Sequence, residues 1–522
     1  MDDVEVVIVA LFVSVVVLAA AARAINVPYP IVLVIGGAIL GLMPWLPDVT
    51  LDPDLVLVLF LPPLLYSGAF FANLRELRTN LRPIVLLSVG LVIATVLVVA
   101  WVAHSLIDGL SWPAAFALGA IVGPTDPVAA TAIARRLGVP RTLVSVLEGE
   151  SLVNDATALV AYRIALAAAA GVGFSLLDAT WEFVWKAAGG VAVGLVVGWV
   201  IAWVRERLDD PLVENTIGLL SAYAAYVPAE HLDVSAVLAA VTTGCYVGWQ
   251  APRIASPATR LQGFGMWELL QFLLNAILFV LIGLQLPVVL DGLEGTSWTT
   301  LLGYAAAVSA AVVLTRLIWQ QTVVFLIRAV DRRESVRARR STWQLRVIGG
   351  WAGMRGAVSL AVALALPLDF EQRDLLIFLT FAVIFVTLVL QGLTLPPLIR
   401  WLGVIDDGTQ ESHEELKARL VATKAALTRI EELKAEDWTR DDTLERMQAQ
   451  YEYRKRRLAA RAGRIEDDGY EDRSFQYQTV LREVLEAQRA EIVRLRDAGT
   501  ISNEVMHRIE RELDLEDQRL EI

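Results

Sequence analysis

Two acidic clusters sit inside long apolar segments between Gly123 and Asp155: Gly123-Pro124-Thr125-Asp126-Pro127, and, after a short basic loop, Glu148-Gly149-Glu150-Ser151-Leu152-Val153-Asn154-Asp155. A charged side chain at the centre of a membrane helix costs roughly 2.5–3.5 kcal/mol on insertion scales, so acids placed there need a task. On a helix, Ser151 and Asp155 share a face, as do Glu150 and Asn154. Asp155, Asp126, Ser151 and Thr125 together form an all-oxygen set, the kind that hard cations take. Carbonyls released at a helix break can complete such a shell. Burial and a neighbouring acid both favour the protonated form of a carboxyl group. A carboxylate of this kind binds either a proton or a small cation, and their mutual exclusion couples the two. Asp155 and Asp126 are expected to titrate as a pair.

The remaining polar residues at this depth have supporting readings. Glu150 needs a cationic partner, and Arg355 is the cation chosen. The expected Glu150–Arg355 ion pair would hold a broken helix against the span that carries Asp155. Asn154 offers amide donors to carbonyls or carboxylates freed at a break. Glu148, nearer the cytoplasm, is read equally as a vestibule charge or a solvated one. Arg163 and Arg316 are read as structural or snorkelling arginines, and His104 and His231 as residues near span ends.

These side chains must be positioned by membrane helices. The chain of 522 residues is 56% hydrophobic, with a mean hydropathy of +0.55. Apolar runs of about twenty residues recur from Val4 to Pro397, which predicts an all-α polytopic membrane protein. Thirteen spans are expected, at about 4–23, 28–44, 54–72, 83–104, 112–134, 143–170, 182–204, 212–230, 233–250, 264–287, 299–328, 343–367 and 374–400. The acidic start, Met1-Asp2-Asp3-Val4-Glu5, lacks the basic n-region of a secretory signal, so the first run is read as a retained span. Loops after odd-numbered spans are basic, from Arg23 to the run between Arg328 and Arg346, and loops after even-numbered spans are acidic or neutral. The positive-inside rule then puts the N-terminus outside and the C-terminus in the cytoplasm. Trp45, Trp112, Trp181, Trp298, Trp343 and Trp401 fall near span ends, as interfacial anchors do.

Two spans carry internal breakers. Pro124 and Pro127 flank Thr125-Asp126, and Gly349, Gly350, Gly353 and Gly356 surround Met354-Arg355. The breaks correspond if spans one to six repeat, inverted, as spans eight to thirteen. Paired interruptions of that kind point to a transporter's binding site. At about 1.5 Å per residue, Asp126, Asp155 and Arg355 all fall near the bilayer midplane.

Composition also excludes. The single cysteine, Cys245, cannot form an internal disulfide and gives no thiolate metal site. Beyond residue 404 the apolar pattern gives way to 21 basic and 29 acidic residues, and nothing there suggests nucleic-acid binding. Helices are expected over Glu411 to Lys434, Thr439 to Gly463, Arg473 to Asp497 and Ser502 to Leu520. Two domains follow: 1–404, a transmembrane exchanger, and 405–522, a charged cytoplasmic helical tail. The tail is read as regulatory, binding a regulator or the other protomer, or as a plain solvated extension. It carries no phosphate loop, zinc spacing or serine-nucleophile motif.

Several motifs, in order along residues 60 to 400, resemble the cation/proton antiporter-1 family of NhaP-like bacterial antiporters and eukaryotic sodium/proton exchangers. They are Leu61-Pro62-Pro63-Leu64-Leu65-Tyr66, Gly123 to Ala129, Glu148 to Asp155, Leu281-Ile282-Gly283-Leu284-Gln285-Leu286, Gly353 to Leu360 and Gln391-Gly392-Leu393-Thr394. The resemblance implies a homodimer in the cell membrane with an NhaA-like fold: thirteen helices, inverted repeats, two broken crossing helices, a dimerisation domain and a moving core. It implies Na+ at Asp155, with Asp126, Thr125 and Ser151 nearby and Asn154 beside it, and it matches Glu150 and Arg355 to a buried ion pair. Asn154 in place of a second ionisable group implies electroneutral exchange. Many members carry an acid in the third span where this chain has Ser67, so no role is carried over there. The expectation is therefore a non-enzymatic monovalent cation/proton antiporter without a cofactor, transporting sodium first, with lithium or potassium as further ions. A potassium/proton antiporter is the alternative, and an intramembrane aspartyl protease or a signalling receptor a remote one.

Overall fold

An apolar medium offers no hydrogen-bond partner to a bare backbone, so an apolar chain closes its own helical ladder. The protein follows that rule, and among the described residues there is no strand. The computed structural model describes residues 2–43, 58–171, 176–293, 297–330, 342–404, 409–436, 438–466 and 469–518. Trp45, the acids from Asp48 to Asp54, Glu294, the middle of the basic loop between Arg328 and Arg346, Asp467-Asp468 and Leu520 lie outside them.

The helices, in order, begin with α1 (Asp2–Ala24), α2 (Tyr29–Gly41), α3 (Leu61–Phe70), α4 (Leu74–Thr79) and α5 (Leu81–Leu106). Next come α6 (Trp112–Ile121), α7 (Val128–Arg136), α8 (Arg141–Ala169), α9 (Leu176–Arg205), α10 (Pro211–His231) and α11 (Ala236–Ile254). The membrane unit continues with α12 (Pro257–Leu284), α13 (Leu286–Asp291), α14 (Trp298–Val330), α15 (Trp343–Trp351), α16 (Ala357–Leu364) and α17 (Arg373–Leu402). The last four are α18 (Thr409–Leu433), α19 (Asp441–Arg461), α20 (Tyr470–Asp497) and α21 (Asn503–Gln518). Among the described residues six helices are long and apolar enough to cross a membrane: α5, α8, α9, α14, α17 and the α12–α13 stretch Pro257–Asp291. Other apolar segments form shorter helices, and two expected spans are split in the middle, into α6/α7 and α15/α16.

Local sequence sets the starts. The Ser111 hydroxyl accepts from the Ala114 N–H, Asp210 from Leu212 and Val213, Ser235 from Leu238, Ser256 from Thr259, and Thr342 from Leu345. Each satisfies an N–H that the first helical turn leaves without a partner. The chain divides into two compact units, Met1–Asp406 and Asp407–Ile522. In the second, Leu485 and Ile492 of α20 pack with Met506 and Leu513 of α21, and Arg489 reaches Asp514 at 2.9 Å and Asp517 at 3.1 Å.

The first unit exposes many large apolar side chains. α9 turns Trp181, Trp185, Trp199 and Trp203 outward. Inside, small residues let helices meet backbone to backbone, as they do where no hydrophobic effect drives helix association. The seam of α2 with α12 is one such close approach. A Cβ on Gly283 would fall 2.3 Å from the Val34 carbonyl oxygen and 2.4 Å from the Ala38 nitrogen, and one on Gly37 would fall 2.4 Å from the Val280 carbonyl oxygen.

Gly283→Ala therefore has to push two backbones apart. Overpacking of this kind costs about 1–3 kcal/mol, and the variant should show a clearly lowered Tm in detergent. Gly303→Ala on α14, where a Cβ meets nothing within 4 Å, should leave Tm unchanged.

Candidate functional site

The site is built where the two split helices meet. α6 stops at Ile121 and α7 starts at Val128. α15 stops at Trp351 and α16 starts at Ala357. The prolines at 124 and 127 and the glycines at 353 and 356 account for the interruptions. The two non-helical pieces are tied together: the Asp126 N–H donates to the Met354 carbonyl at 2.8 Å. The Asp126 carboxylate accepts from the Val128 N–H at 2.9 Å, capping the start of α7. Gly356 passes so close that a Cβ would fall 2.0 Å from Asp126 Oδ2.

Arg355 is fully buried, and its guanidinium serves the breaks themselves. Nε donates to the Val122 carbonyl at 2.9 Å, Nη2 to Gly123 at 3.4 Å and Nη1 to Gly353 at 2.5 Å. Its backbone N–H donates to the Thr387 hydroxyl at 3.1 Å. Thr387 stands in a widened helical turn of α17, Val386–Gln391, of the sort that recurs at functional positions.

The expected Glu150–Arg355 ion pair is therefore corrected. Glu150 is paired with Arg316 of α14, whose Nη1 meets Oε1 and whose Nη2 meets Oε2 at 2.9 Å. Arg316 Nε also donates to the Gly349 carbonyl at 3.1 Å, so this arginine joins α8, α14 and α15. The physical reason is where each cation starts. Arg355 lies within a break, surrounded by carbonyls that have lost their helical partners, while Arg316 projects from an unbroken helix with its fork free for a carboxylate. Both arginines and Glu150 are 1% exposed, so neither cation can leave for water.

Glu150 also accepts from the Thr125 hydroxyl at 3.1 Å. Asn154 donates to that hydroxyl at 3.0 Å and to the Thr125 carbonyl at 3.2 Å. Arg316, Glu150, Thr125 and Asn154 thus form one buried chain that fixes the first break against α8. Beside it opens a cavity of about 670 Å³, lined by Asp155, Asp126, Ser151 and Thr125. The Ser67 hydroxyl also lines it but is committed to the Leu64 carbonyl at 3.0 Å. Glu148 and Arg135 line it as a pair at 2.5 Å. Two carboxylates with hydroxyl and carbonyl oxygens suit a hard monovalent ion held weakly enough to leave. Among the described residues no three His, Cys, Asp or Glu come together as a tighter metal site would need.

Three wall residues were not singled out from the sequence: Glu268, Gln271 and Asn275 of α12. Their spacing of three and four puts them on one helical face, a signal present in the sequence. Arg163 forms an exposed pair with Asp233 at 3.4 Å, and His104 and His231 contact nearby carbonyls, away from the cavity.

The buried chain makes a thermodynamic prediction. Breaking a buried ion pair costs about 3–5 kcal/mol, so Glu150→Ala and Arg316→Ala should each lower Tm strongly. The double variant should lose less than the sum, with a coupling of about 1–3 kcal/mol. The same cycle on Glu150 and Arg355 should give a smaller coupling.

Comparison with known proteins shows the family. A family model described as sodium/hydrogen exchanger, transmembrane, matches residues 8–401. A protein of Mycobacterium tuberculosis named an uncharacterized Na(+)/H(+) exchanger is 36% identical over 99% of this chain and 96% of its own length. The Na(+)/H(+) antiporter ApNhaP of Aphanothece halophytica is 35% identical over 78% of this chain and 75% of its own. An antiporter of Bacillus pumilus named for sodium, potassium, lithium and rubidium against H(+) is 32% identical over 71% of this chain and 57% of its own. The fold matches the solved sodium proton antiporter MjNhaP1 of Methanocaldococcus jannaschii, with a TM-score of 0.57 at 19% identity, over 74% of this chain and 99% of that one. By the family model over residues 8–401 and relatives 35–36% identical, the chain belongs to the sodium/hydrogen exchanger family and is a membrane cation/proton antiporter rather than an enzyme.

Proposed function

We propose that the chain exchanges sodium ions for protons, one for one, by alternating access of a single cavity in the cell membrane. The observation that carries this reading is the division of labour around Thr125. Glu150 and Asn154 are held within the wall, while Asp155, Asp126 and Ser151 line the cavity. Asp155 binds Na+ or a proton in competition, and Asp126, Ser151 and Thr125 supply further oxygens. Asn154 is neutral and engaged with Thr125, so it adds no second titrating charge, which supports electroneutral exchange. The names of the Aphanothece and Methanocaldococcus antiporters support sodium as the ion. The name of the Bacillus pumilus antiporter supports potassium as the second reading on the same scaffold.

The two tied breaks support an inverted repeat, and the alternation of basic loops supports an N-terminus outside and a tail in the cytoplasm. The outward apolar face of α9 suits the homodimer that the family resemblance implies.

Asp155→Asn should abolish sodium-driven proton movement in proteoliposomes while the protein stays folded; exchange near the parent rate would overturn the assignment. Competition for one carboxylate also has a definite sign: the apparent KM for sodium should rise as pH falls, because protons then occupy the site. A KM that is flat with pH would show that the two ions do not share it.

One-for-one exchange leaves the carrier charge equal in both half-cycles, with Asp126 unchanged in protonation. A potassium–valinomycin potential should then leave sodium uptake unaltered. One uncompensated charge is worth about 2.3 kcal/mol per 100 mV, so a second proton would make uptake several-fold dependent on the sign of the potential.

A further inference from the structure

A second cavity, of about 700 Å³, has the opposite electrostatic character. Three arginines line it, Arg23, Arg136 and Arg400, and among the described residues no carboxylate does. Each stands in the last turn of its helix, α1, α7 and α17 respectively. A helix C-terminus carries roughly half an elementary negative charge. Three such ends offset only part of three full guanidinium charges, so the cavity keeps a positive excess. Arg136 Nη2 donates to Asn26 Oδ1 at 2.8 Å, which fastens the end of α7 to the turn between α1 and α2. The rest of the lining includes apolar residues, Ala22, Val27, Ile133 and Leu137 among them.

We propose that this cavity binds the phosphate of an anionic phospholipid, with its arginine rim on the headgroup and its apolar wall against the upper acyl chain. Guanidinium forks match phosphate oxygens in a bidentate geometry. Basic pockets between membrane helices at the headgroup level are where such lipids are recognised. The volume lies within the roughly 300–1,000 Å³ of small-molecule sites. A soluble phosphate would satisfy the rim but leave the apolar wall uncovered, which favours the lipid. The bound headgroup would sit between α1 and the turn into α2 on one side and α7 and α17 on the other. It would be separated from the aspartate cavity by the Tyr29–Phe272 ring pair, which lines both.

The test uses the full chain in nanodiscs of phosphatidylcholine alone or mixed with phosphatidylglycerol, with Tm and lipid retention in native mass spectrometry as readouts. Phosphatidylglycerol should raise Tm and be retained in preference to phosphatidylcholine. Arg23→Gln and Arg400→Gln, at exposed positions, should each weaken that retention about fivefold, while Arg253→Gln at another helix end should not. Each variant's Tm in pure phosphatidylcholine should equal the parent's. Equal retention of the two lipids by the parent overturns the proposal whatever the variants do. So does unchanged retention in both variants, or a Tm rise with inorganic phosphate in pure phosphatidylcholine that equals the rise with phosphatidylglycerol.

Discussion

Interrupting a helix within a membrane strands carbonyl groups that lipid cannot solvate. Here two interruptions lie against each other, and one side chain answers both. Arg355 reaches the carbonyls of Val122 and Gly123 in one break and of Gly353 in its own. A neutral donor would satisfy one or two of them; the guanidinium has five N–H groups and a charge that matches the convergent carbonyl dipoles. The burial of a full positive charge thus becomes part of the solution. The Asp126-to-Met354 bond adds a direct backbone tie, and the carbonyls of Val122, Gly123, Thr125, Gly353 and Met354 all find donors within the protein.

Charge balance then extends outward. Arg316 and Glu150 neutralise each other within the wall, and Thr125 and Asn154 complete the chain of hydrogen bonds. What the network does not take up faces the cavity: the carboxylates of Asp155 and Asp126 and the hydroxyl of Ser151. Wall and cavity lining are divided between nearby residues of one helix. Glu150 and Asp155 are five positions apart on α8, about 140° around the axis, so one faces the wall while the other faces the cavity.

The sequence made some of this legible. Pro124, Pro127 and the glycines around Arg355 announced both breaks, because each residue type disrupts a helix for a reason that holds in any context. The oxygen set around Asp155 could be assembled from local spacing. The partner of Glu150 could not. Arg316 and Arg355 lie 166 and 205 residues away and are equally cationic, and choosing between them requires knowing which helix passes beside α8 and which arginine is already taken by carbonyls. The acidic and amide stripe Glu268, Gln271 and Asn275 was visible as a helical face, but only the approach of α12 to the breaks makes it a cavity wall.

The glycine seam between α2 and α12 has a consequence for motion. Two helices in backbone contact cannot slide a full residue past each other without driving a Cα into a carbonyl, so the pair behaves mechanically as a single beam. One end of that beam carries Tyr29 and Phe272, which line the cavity, and Glu268, Gln271 and Asn275 extend along the same face. In the alternating access proposed for the chain, the broken helices would move against this pair as against a fixed rail. The clearance along that rail, set by side chains rather than by backbone, would limit how far Asp126 and Asp155 could travel in such an exchange.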